Sequence, residues 1–230
     1  VLGSVEVGQN VRHLSISGDG TRVYASRFIT RPLPGESTAA VQTASGGQPV
    51  GGEVVVVNAP AMSVLSTIVL RHSDEQDFEN QGRGVPNYLG AAAISPDGRT
   101  AWVPSKQDNV KRGIRRDGQA LNFQNTVRAI SSRIDLATGT EAYAQRVDHD
   151  NSSVASAVAF DRLGVYAFVA LETSRQVAVV DAHRGFELFK FAVGRAPQGL
   201  ALSADGTRLY VSNFMDRTLG IYDLSELLAT

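Results

Sequence analysis

Val7 to Ser26 reads VGQNVRHLSISGDGTRVYAS, and Val193 to Ser212 reads VGRAPQGLALSADGTRLYVS. Laid over each other without a gap, the two stretches agree at ten of twenty positions. Their shared centre is Ser17-x-Asp19-Gly20-Thr21-Arg22-x-Tyr24 against Ser203-x-Asp205-Gly206-Thr207-Arg208-x-Tyr210. A third copy runs Ser95-Pro96-Asp97-Gly98-Arg99-Thr100-Ala101-Trp102. A fourth, eroded copy runs Asp161-Arg162-Leu163-Gly164-Val165-Tyr166-Ala167-Phe168, 42 residues before the last. Self-similarity of this kind marks a repeat architecture and is read before any single element.

Each copy has the chemistry of a hairpin. Before the turn, apolar residues alternate: Leu14/Ile16, Ala92/Ile94, Val158/Phe160 and Leu200/Leu202. Period two is the mark of a strand. Asp-Gly then supplies the positive φ of a tight turn. The second strand carries an aromatic at one matching position, Tyr24, Trp102, Phe168 and Tyr210, with apolar neighbours on both faces. Third strands follow at 53–58, 128–135, 176–181 and 218–223, each ending in Asn or Asp. Fourth strands follow at 63–69, 141–147 and 186–193, and the last unit has none. The opening residues 1–7 (VLGSVEV) match 186–193 and read as a spare outer strand.

Units of about 42 residues with four strands each predict an all-β chain, a β-propeller of four-stranded antiparallel blades. The blades fall at about 11–70, 88–147, 154–193 and 197–230, within a single domain 1–230. Tyr24, Trp102, Phe168 and Tyr210 are expected at equivalent buried sites. About four blades are present, and we read them as part of a larger ring of about seven. The chain opens at Val1 without Met and stops in Leu227-Leu228-Ala229-Thr230, so both ends read as cuts in a longer polypeptide.

The unit Val193-Gly194-x-x-Pro197-x-Gly199-Leu200-Ala201-Leu202-Ser203-x-Asp205-Gly206-x-x-Leu209-Tyr210-Val211-Ser212-Asn213 resembles the YVTN-type repeat of surface-layer-like and lactonase-like bacterial and archaeal propellers. The resemblance covers nearly the whole chain, one copy per blade. In the first copy Val11 replaces the Pro, and in the eroded copy at 161–168, in the third blade, the Asp-Gly turn is lost. The resemblance implies fold, since the motif residues are turn and core residues. It also implies two functions that stand as alternatives to an interaction scaffold: a metal-dependent lactonase-like hydrolase, or an accessory domain beside a cytochrome-like redox module.

Composition narrows the choice. Lys plus Arg number 22 and Asp plus Glu 23, a net charge of −1. No basic stripe is present to neutralise phosphates, so nucleic acid is not an expected partner. The longest apolar runs, such as Val54 to Val57, have strand length and fall far short of the roughly 18 residues of a membrane span. Cysteine is absent, which excludes disulfides, thiolate metal sites, a cysteine nucleophile and covalent haem attachment within this chain. A periplasmic or extracellular location is the expectation.

No Ser/His/Asp arrangement, phosphate-binding glycine loop or carboxylate pair is readable, which points to a binding domain and away from a self-sufficient enzyme. The expected partner is another protein or a neighbouring domain of a longer chain. Insertions lengthen the loops after the second strand of the first two blades, at 28–52 and 106–127, and the link 71–87 between those blades is long. Long loops gathered on one rim of a rigid scaffold are the usual seat of binding. The candidate binding residues are the basic cluster Lys106, Lys111, Arg112, Arg115 and Arg116, with His72 and His149. No cofactor is required by any motif. A divalent ion is conceivable on His72, Asp74, Asp77, Asp148, His149 and Asp150, because mixed imidazole and carboxylate ligands suit transition metals. Their spacing matches no metal motif, and solvated loop charge is the simpler reading. His13, near an inner-strand start, is placed to line the channel, and His183 sits in an exposed turn on the opposite face.

Overall fold

The computed structural model describes residues 2–30, 51–73, 75, 81–108, 127–149 and 151–228. Four antiparallel sheets follow one another along the chain. The first holds β1 (Val11–Ile16), β2 (Arg22–Arg27), β3 (Gly51–Asn58) and β4 (Ser63–Arg71) in that order. In the second, β7 (Thr100–Asp108) and β8 (Val127–Asp135) are the long central pair. Its inner strand is split into β5 (Val85–Asn87) and β6 (Ala93–Ile94), both on β7, and its outer strand into β9 (Thr140–Glu141) and β10 (Val147–His149), both on β8. The third holds β11 (Ala155–Phe160), β12 (Tyr166–Leu171), β13 (Gln176–Asp181) and β14 (Phe186–Ala192). The fourth has three strands, β15 (Pro197–Leu202), β16 (Arg208–Asn213) and β17 (Thr218–Asp223), followed by the short helix α1 (Leu224–Leu227). Among the described residues no helix is long and apolar enough to cross a membrane.

The split inner strand has a local cause. Pro104 in the centre of β7 offers no N–H, and opposite it the inner strand is interrupted between β5 and β6. The Pro104 carbonyl is still used, accepting from Gly90 N–H at 2.8 Å. The second blade therefore runs from Val85 to His149, wider than the 88–147 read from the repeat.

The repeated turn explains the repeated letters. Ser17 N–H donates to the Arg22 carbonyl at 2.9 Å, and Gly20, at φ 71°, closes the turn onto the Ser17 carbonyl at 2.8 Å. Ser17 Oγ accepts from Arg22 N–H at 2.9 Å, and Asp19 accepts from Thr21 N–H at 3.0 Å. The Ser203 and Ser95 turns repeat these contacts. In the eroded copy of the third blade the turn survives although Asp-Gly does not. Asp161 stands at the serine position and its carboxylate accepts from Tyr166 N–H at 2.6 Å, the bond serine makes elsewhere. Gly164 keeps its positive φ of 70°.

Blades pack face to face on the aromatic of the second strand. Tyr24 lies in the seam between the first two blades, against Leu89, Ala92, Ala101 and Val103. Trp102 lies in the second seam with Ala167 and Val169, edge-on to Phe160 at 5.7 Å between centroids. Phe168 lies in the third with Leu209 and Val211. These three are buried, but Tyr210, expected to match them, is only partly buried. Residues 2–7 do not form the spare outer strand expected of 1–7. They run without a ladder, and Val5 and Val7 pack on the apolar face formed by Ala25, Val55 and Val57 of the first blade.

Candidate functional site

The strand registers place all three lengthened segments at one end of the blades. Gly51 pairs with Arg71, and Asp108 pairs with both Val85 and Val127, so the segments after Thr30, after Arg71 and after Asp108 leave and return on one rim. The Ser-x-Asp-Gly turns close the opposite ends of the same strands.

On that rim the inner-strand starts of all four blades converge on a cleft of about 270 Å³. Arg12 and His13 come from β1, Phe28 from the end of β2, Tyr88 and Gly90 from the break between β5 and β6, Ser156 from β11, Glu172 from the end of β12 and Gln198 from β15. The blades are stitched together here. Leu89 N–H donates to the Phe28 carbonyl at 3.3 Å, and Ser156 Oγ donates to the Pro197 carbonyl at 2.6 Å. Gly90 allows the approach, since a Cβ there would stand 2.6 Å from the Ser156 carbonyl oxygen.

One wall is aromatic. Phe28 and Tyr88 stack at 4.5 Å between centroids with 15° between planes. The Arg12 guanidinium lies 4.3 Å from the Phe28 ring centre and Lys106 Nζ 3.9 Å from that of Tyr88, so two rings are held between two cations. Asn87 locks the pair in place. Its side-chain carbonyl accepts from both Thr30 N–H and Tyr88 N–H at 3.0 Å. Tyr88 is held at φ 53°, a left-handed conformation that is uncommon for a bulky residue. The other wall is polar, with Glu172 accepting from Gln198 Nε2 at 3.1 Å. His13 is half-buried, and burial first, then the adjacent Arg12 charge, lower its pKa, so its imidazole is neutral at neutral pH.

Two further polar clusters lie between blades. Arg146 donates to Glu141 at 2.7 Å, to Gln107 Oε1 at 2.9 Å and to the Arg71 carbonyl at 2.7 Å, while Glu141 accepts from Arg71 N–H at 2.8 Å. This clamp ties the outer edge of the first blade to the second. His149 joins the second blade to the third: Nε2 lies 2.9 Å from Ser131 Oγ and Nδ1 lies 3.3 Å from Glu187 Oε2. Ser, His and Glu thus stand in relay order, an arrangement hidden in the linear sequence. Ser131 and His149 are fully buried, so no substrate reaches the hydroxyl and the relay is a brace between blades. Glu187 feels burial most strongly, which raises its pKa, but the hydrogen bond and charge of His149 together with Lys190 outweigh it and the net direction is down.

The sequence-derived candidates separate in space. Lys106 stands beside the cleft, paired with Asp108 at 3.1 Å. His72 is buried directly after β4, and His149 is buried on β10. Asp148 pairs with Arg128 at 2.9 Å. Lys111, Arg112, Arg115 and Arg116, with Asp74, Asp77 and Asp150, lie outside the described residues. Among the described residues no three His, Asp or Glu side chains gather to hold a metal ion. His183 is exposed in the β13–β14 turn. Sequence reasoning found His13 and missed Arg12, Phe28, Tyr88, Glu172 and Gln198. Their shared signal is position: each lies at or just beyond the rim end of a first or second strand.

No model of a known family matches the chain, and no curated protein matches it in sequence. Its structure is similar to Kuenenia stuttgartiensis hydrazine synthase, with TM-score 0.66 and 13% identity over 95% of this chain and 60% of that one. It is also similar to U3-55K, at TM-score 0.55 and 12% identity, and to the WD40 repeats of RRP9, at TM-score 0.54 and 12% identity. The match covers 95% of this chain in both cases, with 53% of the U3-55K chain and 52% of the RRP9 chain. The chain therefore has a β-propeller fold and spans between half and two thirds of the chains it matches.

Proposed function

We propose that this is a non-catalytic interaction domain, a propeller of the YVTN-repeat type that docks a partner protein or neighbouring domain on its loop-rich rim. The observation that carries the reading is the convergence of four blades on one braced, aromatic-walled cleft at the rim where every lengthened segment leaves the scaffold. Rigid strands hold the site, and the lengthened segments that leave the same rim would supply the partner's remaining contacts. An extracytoplasmic location goes with this reading and is checked by fractionating source cells.

The test is cross-linking in the source cells, comparing the intact chain with a variant in which 31–50 and 109–126 are replaced by short Gly-Ser turns. The variant is expected to melt like the parent and to lose its cross-linked partner. An unchanged set of cross-linked proteins would overturn the reading. So would a stoichiometric metal ion in the purified chain together with lactone hydrolysis, the outcome that the hydrolase alternative requires.

A further inference from the structure

We propose that the cleft binds a small zwitterion of about dipeptide size, with its carboxylate on Arg12, its ammonium group on Glu172 and its apolar body against the Phe28–Tyr88 platform. The inference rests on the rim-binding reading and names the chemistry at its floor.

Three observations carry it. First, a guanidinium and a carboxylate line one cleft without neutralising each other. Among the described residues Arg12 rests on the Phe28 ring and Glu172 meets only the neutral amide of Gln198, so neither faces an opposite charge. Opposite charges held apart on two walls are complementary to a ligand carrying both signs. Second, Tyr88 is exposed and left-handed, and Asn87 is committed to holding it there. Strain of this kind persists only where surrounding structure enforces it, and it concentrates at ligand sites. Third, a cavity of about 270 Å³ lies just below the usual range for drug-sized ligands, roughly 300–1,000 Å³, and suits a smaller molecule. A neutral His13 adds a hydrogen-bonding group without a second charge on the Arg12 side.

The test is isothermal titration of the intact chain with leucyl-phenylalanine and with its N-acetyl and C-amide forms. Each blocked form is expected to bind about tenfold more weakly, the loss of one charge-assisted contact. Arg12→Ala should weaken the free dipeptide and leave the amide unchanged. Glu172→Gln should weaken the free dipeptide and leave the acetyl form unchanged. Both side chains lie at the cleft surface, so the melting temperature should not move. Equal affinity for the three forms, or no heat from any of them, overturns the inference, as does an Arg12→Ala variant that weakens all three alike. A chain that keeps its cross-linked partner but binds no dipeptide sinks this inference alone. A chain that binds the dipeptide but whose cross-links ignore loop replacement sinks the docking reading alone.

Discussion

The third blade and the fourth present the same face with opposite fates. Val177, Phe168 and Val179 stand 42 residues before Leu219, Tyr210 and Ile221, at equivalent positions of the repeat. Val177, Phe168 and Val179 are fully buried. Leu219 is 61% exposed and Ile221 is 59% exposed, while Tyr210 is partly buried. At the other end, Leu14 and Ile16 are exposed while their counterparts Leu200 and Leu202 pack against the third blade. Residue type is thus a statement about what a position can bury, and the neighbouring blade decides whether it does. Leu14, Ile16, Val23 and Ala25 are the repeat equivalents of the Leu200, Leu202, Leu209 and Val211 surface that receives Phe168, and on the first blade that face is open at Leu14 and Ile16 but covered by Val5 and Val7 at Ala25.

The largest expected effect breaks this symmetry directly. Phe168→Ala should cost about 3–5 kcal/mol in urea unfolding, as a large aromatic removed from a sealed seam. Tyr210→Ala should cost well under half as much. Equal losses would mean that the face of the fourth blade is covered in solution.

Next in size is the brace between the second and third blades. His149→Ala leaves the Ser131 hydroxyl buried without its partner and should cost about 1–3 kcal/mol. The same variant tests a pH dependence. Glu187 in the folded chain titrates below its ordinary 4.5, so its stabilising share is present above that value and is lost as pH falls through the lower folded value. In His149→Ala the Glu187 contribution to acid sensitivity in that window should shrink. An unchanged acid limb of the stability profile would assign it to other carboxylates.

A smaller effect sharpens the comparison from the exposed side. Leu219→Lys and Ile221→Lys should change stability by no more than about 0.5 kcal/mol, as surface substitutions do. The same change at Val177 or Val179 should prevent folding, because a lone charge would be buried in the seam. Light scattering should also show less self-association for the Leu219 and Ile221 variants, which charge an unpaired sheet edge.

The smallest effect is shared by the outermost turns. Asp19 and Asp205 are held down to about 2, chiefly by hydrogen bonds from Ser17 and Ser203 and then by Thr21 and Thr207. Both are lowered from 3.8, so their contribution is complete above that value and fades as pH falls toward 2. Asp19→Asn and Asp205→Asn should slightly flatten the acid limb of the melting profile. The two carboxylates are fully solvated, so a large change in either variant would contradict this account.

Much of the fold was legible in the sequence because its determinants are local. The Ser-x-Asp-Gly turn is closed by bonds spanning five residues, and strand alternation repeats every two, so both survive in the linear order. Even the eroded third turn keeps a carboxylate at the residue that starts it, a substitution whose sense only the Asp161–Tyr166 bond reveals. The candidate site was much less legible. Its rim could be placed from the insertions, but its walls join residues as far apart as Arg12 and Gln198, which no spacing rule connects. His72 and His149 drew notice as loop imidazoles, yet both lie in the interior.

By itself the sequence determined the four hairpins, their turns and the aromatic at each seam, since these depend on backbone sterics and alternation within a few residues. Tertiary structure decided which of four equivalent aromatics is buried, that Ser131, His149 and Glu187 meet, and that a cation and a carboxylate face one cleft. Each of these depends on how one blade is set against the next, and that geometry comes from burying apolar faces between segments tens of residues apart.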